Sequence, residues 1–166
     1  LNQRNPLMAD YLTQNALWWI EYLGLAGIRM DTWPYPDKDY MAEWTGRIMS
    51  EYPEFNIVGE EWSSDPQIVS YWQRGQKKLD GYVCELPSLM DFPLQEAVWL
   101  GLSTKEGEQM PDHSPSGLMR MYRMLAMDFL YPDAGGLVTF PDNHDMDRIY
   151  TQLGEDNNLW RMAMAY

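Results

Sequence analysis

Carboxylic side chains follow three short apolar segments of this 166-residue chain. Asp31 ends the stretch "GIRMD", Glu60 ends "FNIVGE", and Asp145 lies in the polar run "PDNHDMDR" that follows "GGLVTF". One acidic residue at such a place is ordinary, because Asp and Glu also cap helices. Three of them, with basic side chains beside them, predict acid–base or nucleophilic chemistry.

Two carboxylates that face each other across a cleft suit glycoside hydrolysis, in which one attacks the anomeric carbon and the other protonates the leaving oxygen. The attacking carboxylate must be ionised, and a nearby cation favours that form. Arg29 stands two residues before Asp31, so a strand places both side chains on one face. A buried Arg–Asp pair without chemistry is the alternative.

The second carboxylate must carry a proton, so it needs an apolar wall and a neighbouring negative charge. Glu60 and Glu61 are adjacent, and their side chains must point in opposite directions. We predict that Glu60 is the proton donor and that Glu61 faces the helical layer or caps a helix.

Segments of helical and strand character alternate along the chain. We predict strands at 27–31, at 55–60, at either 81–85 or 88–92, and at 135–140, with helices at 6–23, 38–50, 65–72, 93–100, 116–131 and from 156. Such alternation is typical of βαβ units and a parallel sheet. Four strands are about half of an eight-stranded barrel, a fold in which active sites gather at the carboxyl ends of the strands.

The segment 116–131 has the strongest amphipathic pattern in the chain. We expect its apolar residues to face inward, namely Leu118, Met121, Tyr122, Leu125 and Phe129.

Composition excludes several classes of protein. The formal net charge is -13, from 12 Lys+Arg against 25 Asp+Glu, which argues against a nucleic-acid-binding face and against an anionic membrane surface. A neutral substrate is compatible with this charge. Cys84 is the single cysteine, so an internal disulfide is excluded. No apolar run reaches the length of a transmembrane helix.

The stretches "GIRMD", "GEEW" and "FPDNHD", in that order, resemble three signature regions of the α-amylase family, glycoside hydrolase family 13. The residues around them are most similar to the neopullulanase and cyclomaltodextrinase branch. The resemblance implies an α/β fold, a partial TIM (β/α)8 barrel of about strands 4 to 7 with their helices. Residues 1–166 would be the central part of a single catalytic domain, with the other strands, a B domain and a C-terminal β-domain outside it. The resemblance also favours 88–92 over 81–85 as the third strand.

The resemblance implies a role for each matching residue. Asp31 is expected to be the nucleophile with Arg29 as its partner, and Glu60 the general acid/base. Asp145 is expected to grip the sugar hydroxyls as the third carboxylate, with His144 donating to the same sugar. Asn143 would orient the loop. Because the family retains the anomeric configuration, the carboxyl groups of Asp31 and Glu60 should lie about 5–5.5 Å apart.

The chain departs from the family pattern after the nucleophile. Many relatives carry a Lys-His pair there, where this chain has "TWPYP". Trp33 and Tyr35 would stack on sugar rings or, alternatively, pack within the loop. Arg148 would contact a further sugar or form a surface pair with Asp147.

The resemblance implies an α-glucan oligosaccharide or polysaccharide as the substrate, with no nucleic-acid partner and no membrane insertion. No cofactor or metal is expected in this chain, since the calcium of relatives binds outside the matching region. A transglycosylase or isomerase on the same scaffold and a non-catalytic glucan-binding homologue are the alternatives. We expect the isolated chain to be inactive and to self-associate through open sheet edges. The resemblance suggests the periplasm or cell envelope of a Gram-negative bacterium.

Overall fold

A computed structural model describes residues 1–111 and 113–166, which form two compact units. The first unit comprises 1–62, 67–90 and 131–138, and it contains a parallel sheet. The second comprises 63–66, 91–130 and 139–166, and its described elements are helical.

Helices and strands follow one another in the predicted order as far as the helix that begins at Leu118, and the short helix Ile149–Gln152 was not predicted. They are α1 (Pro6–Leu23), β1 (Gly27–Met30), α2 (Lys38–Glu51), β2 (Asn56–Gly59), α3 (Pro66–Tyr71), β3 (Ser88–Leu89), α4 (Phe92–Ser103), α5 (Leu118–Leu125), α6 (Ile149–Gln152) and α7 (Asn157–Ala165). Short 3-10 turns cover Asp128–Leu130 and Ala134–Gly136. The position of β3 confirms the third strand at 88–92 rather than at 81–85.

Capping residues set the helix boundaries that the sequence predicts. Asn5 caps α1 and Pro6 opens it, while Gly24 ends it in the left-handed conformation at φ 62°. Asp37 caps α2 and Asp156 caps α7, each through its side chain.

The sheet has the order β1-β2-β3, and all its pairs are parallel. Arg29 lies opposite Val58, and Met30 lies opposite Gly59, which in turn pairs with Leu89. The three strands therefore end at the same level. Beneath them lies a core of apolar side chains, among which Ile48, Ile57, Val69, Leu86 and Leu89 are fully buried.

The predicted fourth strand at 135–140 is wrong. Asp133 accepts a hydrogen bond from the Gly136 N–H at 3.1 Å, and this bond closes a 3-10 turn over 134–136. Val138 then makes a single parallel bridge with Met90. The glycine pair is used for the turn, so the sheet has three strands within the part of the chain that the structure describes.

The predicted helix over 116–131 is shorter, and most of its apolar face is exposed. α5 ends at Leu125, and Met121 is its one buried residue. Met121 packs closely on α4, where a Cβ at Gly101 would lie 2.8 Å from its Cγ. Leu118, Leu125, Tyr122 and Phe129 are between 40% and 76% exposed, so the prediction that they face inward is wrong. The helix α5 contacts α4 through Met121 and through the ion pair between Arg120 and Glu96.

Candidate active site

Arg29 bridges the two carboxylates that the sequence proposes as catalytic. Its Nη1 lies 2.6 Å from Asp31 Oδ1, and its Nη2 lies 2.6 Å from Glu60 Oε1. The register of β1 and β2 causes this arrangement, because the Glu60 N–H donates to the Met30 carbonyl at 3.0 Å and so continues the ladder. The structure therefore brings Arg29, Asp31 and Glu60 together at the carboxyl end of the sheet.

The two carboxylates have unlike surroundings. The Asp31 side chain is 64% exposed, whereas that of Glu60 is 5% exposed. Glu60 also accepts the Thr32 N–H on Oε2 at 2.8 Å. Glu60 is buried, but polar donors lie at its carboxylate where an apolar wall was predicted, because the strand register brings Arg29 and Thr32 to it.

Thr32 has a strained backbone directly after Asp31. Its φ is 48°, in the left-handed region that β-branched residues rarely adopt. Two consecutive N–H groups meet Glu60 here, since that of Thr32 reaches the carboxylate and that of Trp33 donates to the Glu60 carbonyl at 2.9 Å. Strain of this kind persists where surrounding contacts hold it, and it is common at functional sites.

Glu61 points away from this group, as the sequence predicts. It is 8% exposed, and its Oε2 accepts the indole N–H of Trp72 at 2.7 Å. Burial raises the pKa of Glu61, and the bond from Trp72 opposes that rise. Glu61 therefore belongs to the packing behind the sheet.

The two aromatic residues of the stretch "TWPYP" have opposite surroundings, since Trp33 is buried and Tyr35 is exposed. Trp33 is fully buried, and a Cβ at Gly59 would lie 3.2 Å from its ring. The alternative in which Trp33 packs within the protein is therefore favoured over stacking on a sugar. Tyr35 is 83% exposed and lines an open polar hollow of about 480 Å³, together with the ion pair between Arg4 and Asp37.

The second unit holds the other predicted site residues in one loop. His144 Nε2 lies 3.1 Å from Asp145 Oδ2, and the two side chains are 68% and 45% exposed. Asn143 accepts the Asp145 N–H on its side-chain oxygen at 2.9 Å. Arg148 pairs with Asp142 at 2.7 Å, so its surface-pair partner is Asp142 and not the predicted Asp147.

Asp91 is a carboxylate that the sequence reasoning missed. It follows β3, caps α4 by accepting the Leu94 N–H at 3.1 Å, and is 7% exposed. Burial raises its pKa to about 6, with the Asp128 charge adding to the rise and the Leu94 N–H opposing it. The stretch "SLMDFP" carried the signal, since it places an acidic residue at a strand end just before a helix-starting proline.

Two features are absent from residues 1–111 and 113–166, which are the residues that the structure describes. No three His, Cys, Asp or Glu side chains are grouped so that they could hold a metal ion. No helix in this part of the chain combines the length and the apolar character needed to cross a bilayer.

The parallel strands with intervening helices place the protein in the α/β class. Its structural neighbours are TIM-barrel amylases. One neighbour is an α-amylase from Anoxybacillus, with a TM-score of 0.78 and 26% identity. Another is the α-amylase from Geobacillus thermoleovorans in complex with acarbose, with a TM-score of 0.78 and 27% identity. Each match covers 100% of this chain and 34% of the neighbour.

The chain belongs to the α-amylase family, because the model for the α-amylase catalytic domain matches residues 1–166. Neopullulanase 2 of Thermoactinomyces vulgaris is 29% identical over 168 residues. A cyclomaltodextrin glucanotransferase of Thermoanaerobacterium thermosulfurigenes is 29% identical over 173 residues. The matches cover 100% of this chain but 25% and 21% of these relatives, so the chain spans about a quarter of their length.

Proposed function

We propose that the protein carrying this chain is a retaining α-glucan hydrolase that cleaves α-1,4-glucosidic bonds by double displacement. Its substrates would be maltooligosaccharides, cyclodextrins, pullulan or starch. The observation that carries the proposal is the pair of unlike carboxylates, Asp31 and Glu60, joined by the guanidinium of Arg29. Family membership and the relative named neopullulanase support this substrate class.

In the first step, Asp31 attacks the anomeric carbon and forms a covalent glycosyl ester, while Glu60 protonates the leaving oxygen. The exposure of Asp31 suits the attacking group, because a sugar must reach it. To act as the acid, Glu60 must carry a proton, which reduces its ion pair with Arg29 to a hydrogen bond to a neutral carboxyl group.

In the second step, Glu60 takes a proton from water, which attacks the ester. Asp31 is neutral while it is esterified, so the charge of Arg29 then acts on Glu60 alone. An ionised Glu60 is the form that the second step requires. Arg29 would thus help each carboxylate in the step in which that carboxylate is an anion.

Other residues would hold the glucan. Asp145 and His144 would bind hydroxyl groups of the reacting sugar, with Asn143 fixing their loop. Arg148, whose side chain is 67% exposed, would reach a further sugar. Tyr35 would stack on a sugar in its polar hollow, since an exposed aromatic ring among polar groups suits a sugar's apolar face and hydroxyls.

The test is hydrolysis of cyclodextrin, pullulan, starch and maltooligosaccharides by the complete protein. Asp31→Asn and Glu60→Gln should each lose hydrolysis by several orders of magnitude. Glu61→Gln is the matched control, because Glu61 is an adjacent buried carboxylate bonded to Trp72, and it should stay active. Unchanged hydrolysis in both catalytic variants would refute the proposal.

Transglycosylation is the second candidate, and the relative named cyclomaltodextrin glucanotransferase favours it. In that reaction a sugar, and not water, reaches the ester on Asp31. Product analysis with and without an added acceptor sugar separates the two, because a transglycosylase makes longer products when the acceptor is present.

A further inference from the structure

Asp142 closes the loop that carries His144 and Asp145. Its Oδ1 accepts Arg148 Nη1 at 2.7 Å, and its Oδ2 accepts the Ile149 N–H, the first of α6, at 2.9 Å. The Asp142 side chain is 16% exposed; its bond to the Ile149 N–H is partly buried, whereas its bond to Arg148 lies at the surface. One carboxylate therefore joins the start of the loop to its end.

The start of the loop is held from a second side. The amide of Gln95, a residue of α4 that is 6% exposed, donates to the Pro141 carbonyl at 3.0 Å. The ring of Phe140 packs edge-on against Phe92 with centroids 5.0 Å apart. Asp142 is therefore fixed to the body of the second unit through its chain neighbours.

Within the closed loop, Asp145 has its own bonds to the neighbouring residues. Its N–H donates to Asn143, and its carboxylate meets His144. The two bonds of Asp142 go to Arg148 and to Ile149, so its influence on Asp145 passes through the shape of the loop.

We propose that Asp142 is a positioning residue for Asp145, which it serves by clamping the loop between Pro141 and Ile149. The inference rests on the proposed function, in which Asp145 binds the reacting sugar. A carboxylate that is fixed before the substrate binds loses less free energy in reaching the transition state. In this account the main role of Arg148 is to hold Asp142 through their ion pair.

The test compares Asp142→Ala with Asp142→Asn in the complete protein. Alanine removes both bonds, so kcat should fall on the order of 100-fold while KM changes less, as for a displacement of about 1 Å. Asparagine can still accept the Ile149 N–H on its one oxygen but loses the charge and the bond to Arg148, so it should restore only part of kcat. Asp156→Ala is the matched control: Asp156 also caps a helix of this unit through two N–H groups, and its loss should lower stability but spare kcat.

A double-mutant cycle separates positioning from general damage. In an Asp145→Asn background, with a maltosyl fluoride as an activated substrate, Asp142→Ala should lower the remaining rate less than about threefold, because the group it positions is already gone. A full 100-fold loss in that background, or no loss of kcat in Asp142→Ala alone, would overturn the positioning role. If Asp145→Asn itself keeps full activity, the role of Asp145 in the proposed function fails as well.

Discussion

Replacing Arg29 with methionine should destabilise the protein through Glu60 more than through Asp31. Met keeps the apolar stem but removes the guanidinium from both carboxylates. The Asp31 pair is exposed, and such pairs contribute about 0–1 kcal/mol. Glu60 is 5% exposed and loses its charged partner, and removing one member of a buried pair costs about 3–5 kcal/mol. Because Glu60 keeps the Thr32 N–H, we expect a loss of about 3 kcal/mol.

The assay is urea unfolding of the complete protein, followed by tryptophan fluorescence, in a double-mutant cycle with Glu60→Gln. A glutamine removes the buried charge, so Arg29→Met in that background should cost only about 1 kcal/mol. Arg4→Met is the control, since Arg4 also pairs with an aspartate, Asp37, but its side chain is 84% exposed. It should lose less than about 1 kcal/mol.

Two results would refute the reasoning about Arg29. One is a loss in Arg29→Met no larger than that in Arg4→Met. The other is strict additivity of Arg29→Met and Glu60→Gln, which would mean that the guanidinium does not stabilise the buried carboxylate.

Three further predictions concern the frame around the site. Thr32→Gly should stabilise the protein by about 1 kcal/mol in urea unfolding, because glycine adopts the φ of 48° without strain; equal or lower stability would contradict this. Gly59→Ala should cost about 1–3 kcal/mol and lower kcat, since its Cβ would lie 2.9 Å from Leu86 Cδ2 next to Glu60; an unchanged melting temperature would count against it. Asp91→Asn keeps a capping oxygen but removes the carboxyl group. In the wild type the pKa of that group is raised from 3.8 to about 6, so the native protein holds the Asp91 proton more tightly than the unfolded chain does. The wild type should therefore lose up to about 3 kcal/mol, relative to the variant, as pH rises from about 4 to 7; parallel pH profiles would exclude this.

The contact between Arg29 and Asp31 was predictable, because it depends on the two-residue period of a single strand. The contact between Arg29 and Glu60 was not, since it requires β1 and β2 to be neighbours in one particular register. Sequence spacing within a strand does not contain that register. Because the register was unknown, the sequence also did not predict that Arg29 and the Thr32 N–H would lie at Glu60 in place of an apolar wall.

Local capping signals predicted the helix ends well, since Asn5, Gly24 and Asp156 act on their own turns. The predicted fourth strand was wrong because the Asp133 side chain accepts the Gly136 N–H and so stabilises a turn. The β propensity of the following residues does not include this hydrogen bond. Trp33 was left open between stacking and packing. Its burial depends on the absence of a side chain at Gly59, 26 positions away in the sequence.

The most direct test of the proposed chemistry is to trap the ester on Asp31. The Glu60→Gln variant of the complete protein would be treated with a 5-fluoro maltosyl fluoride, whose leaving group needs no proton from residue 60, and its peptides would be analysed by mass spectrometry. We predict a glycosyl adduct on the peptide that contains Asp31, and its absence when Asp31→Asn is added. An unmodified Asp31 peptide, or an adduct on another carboxylate, would contradict the double-displacement mechanism assigned to this site.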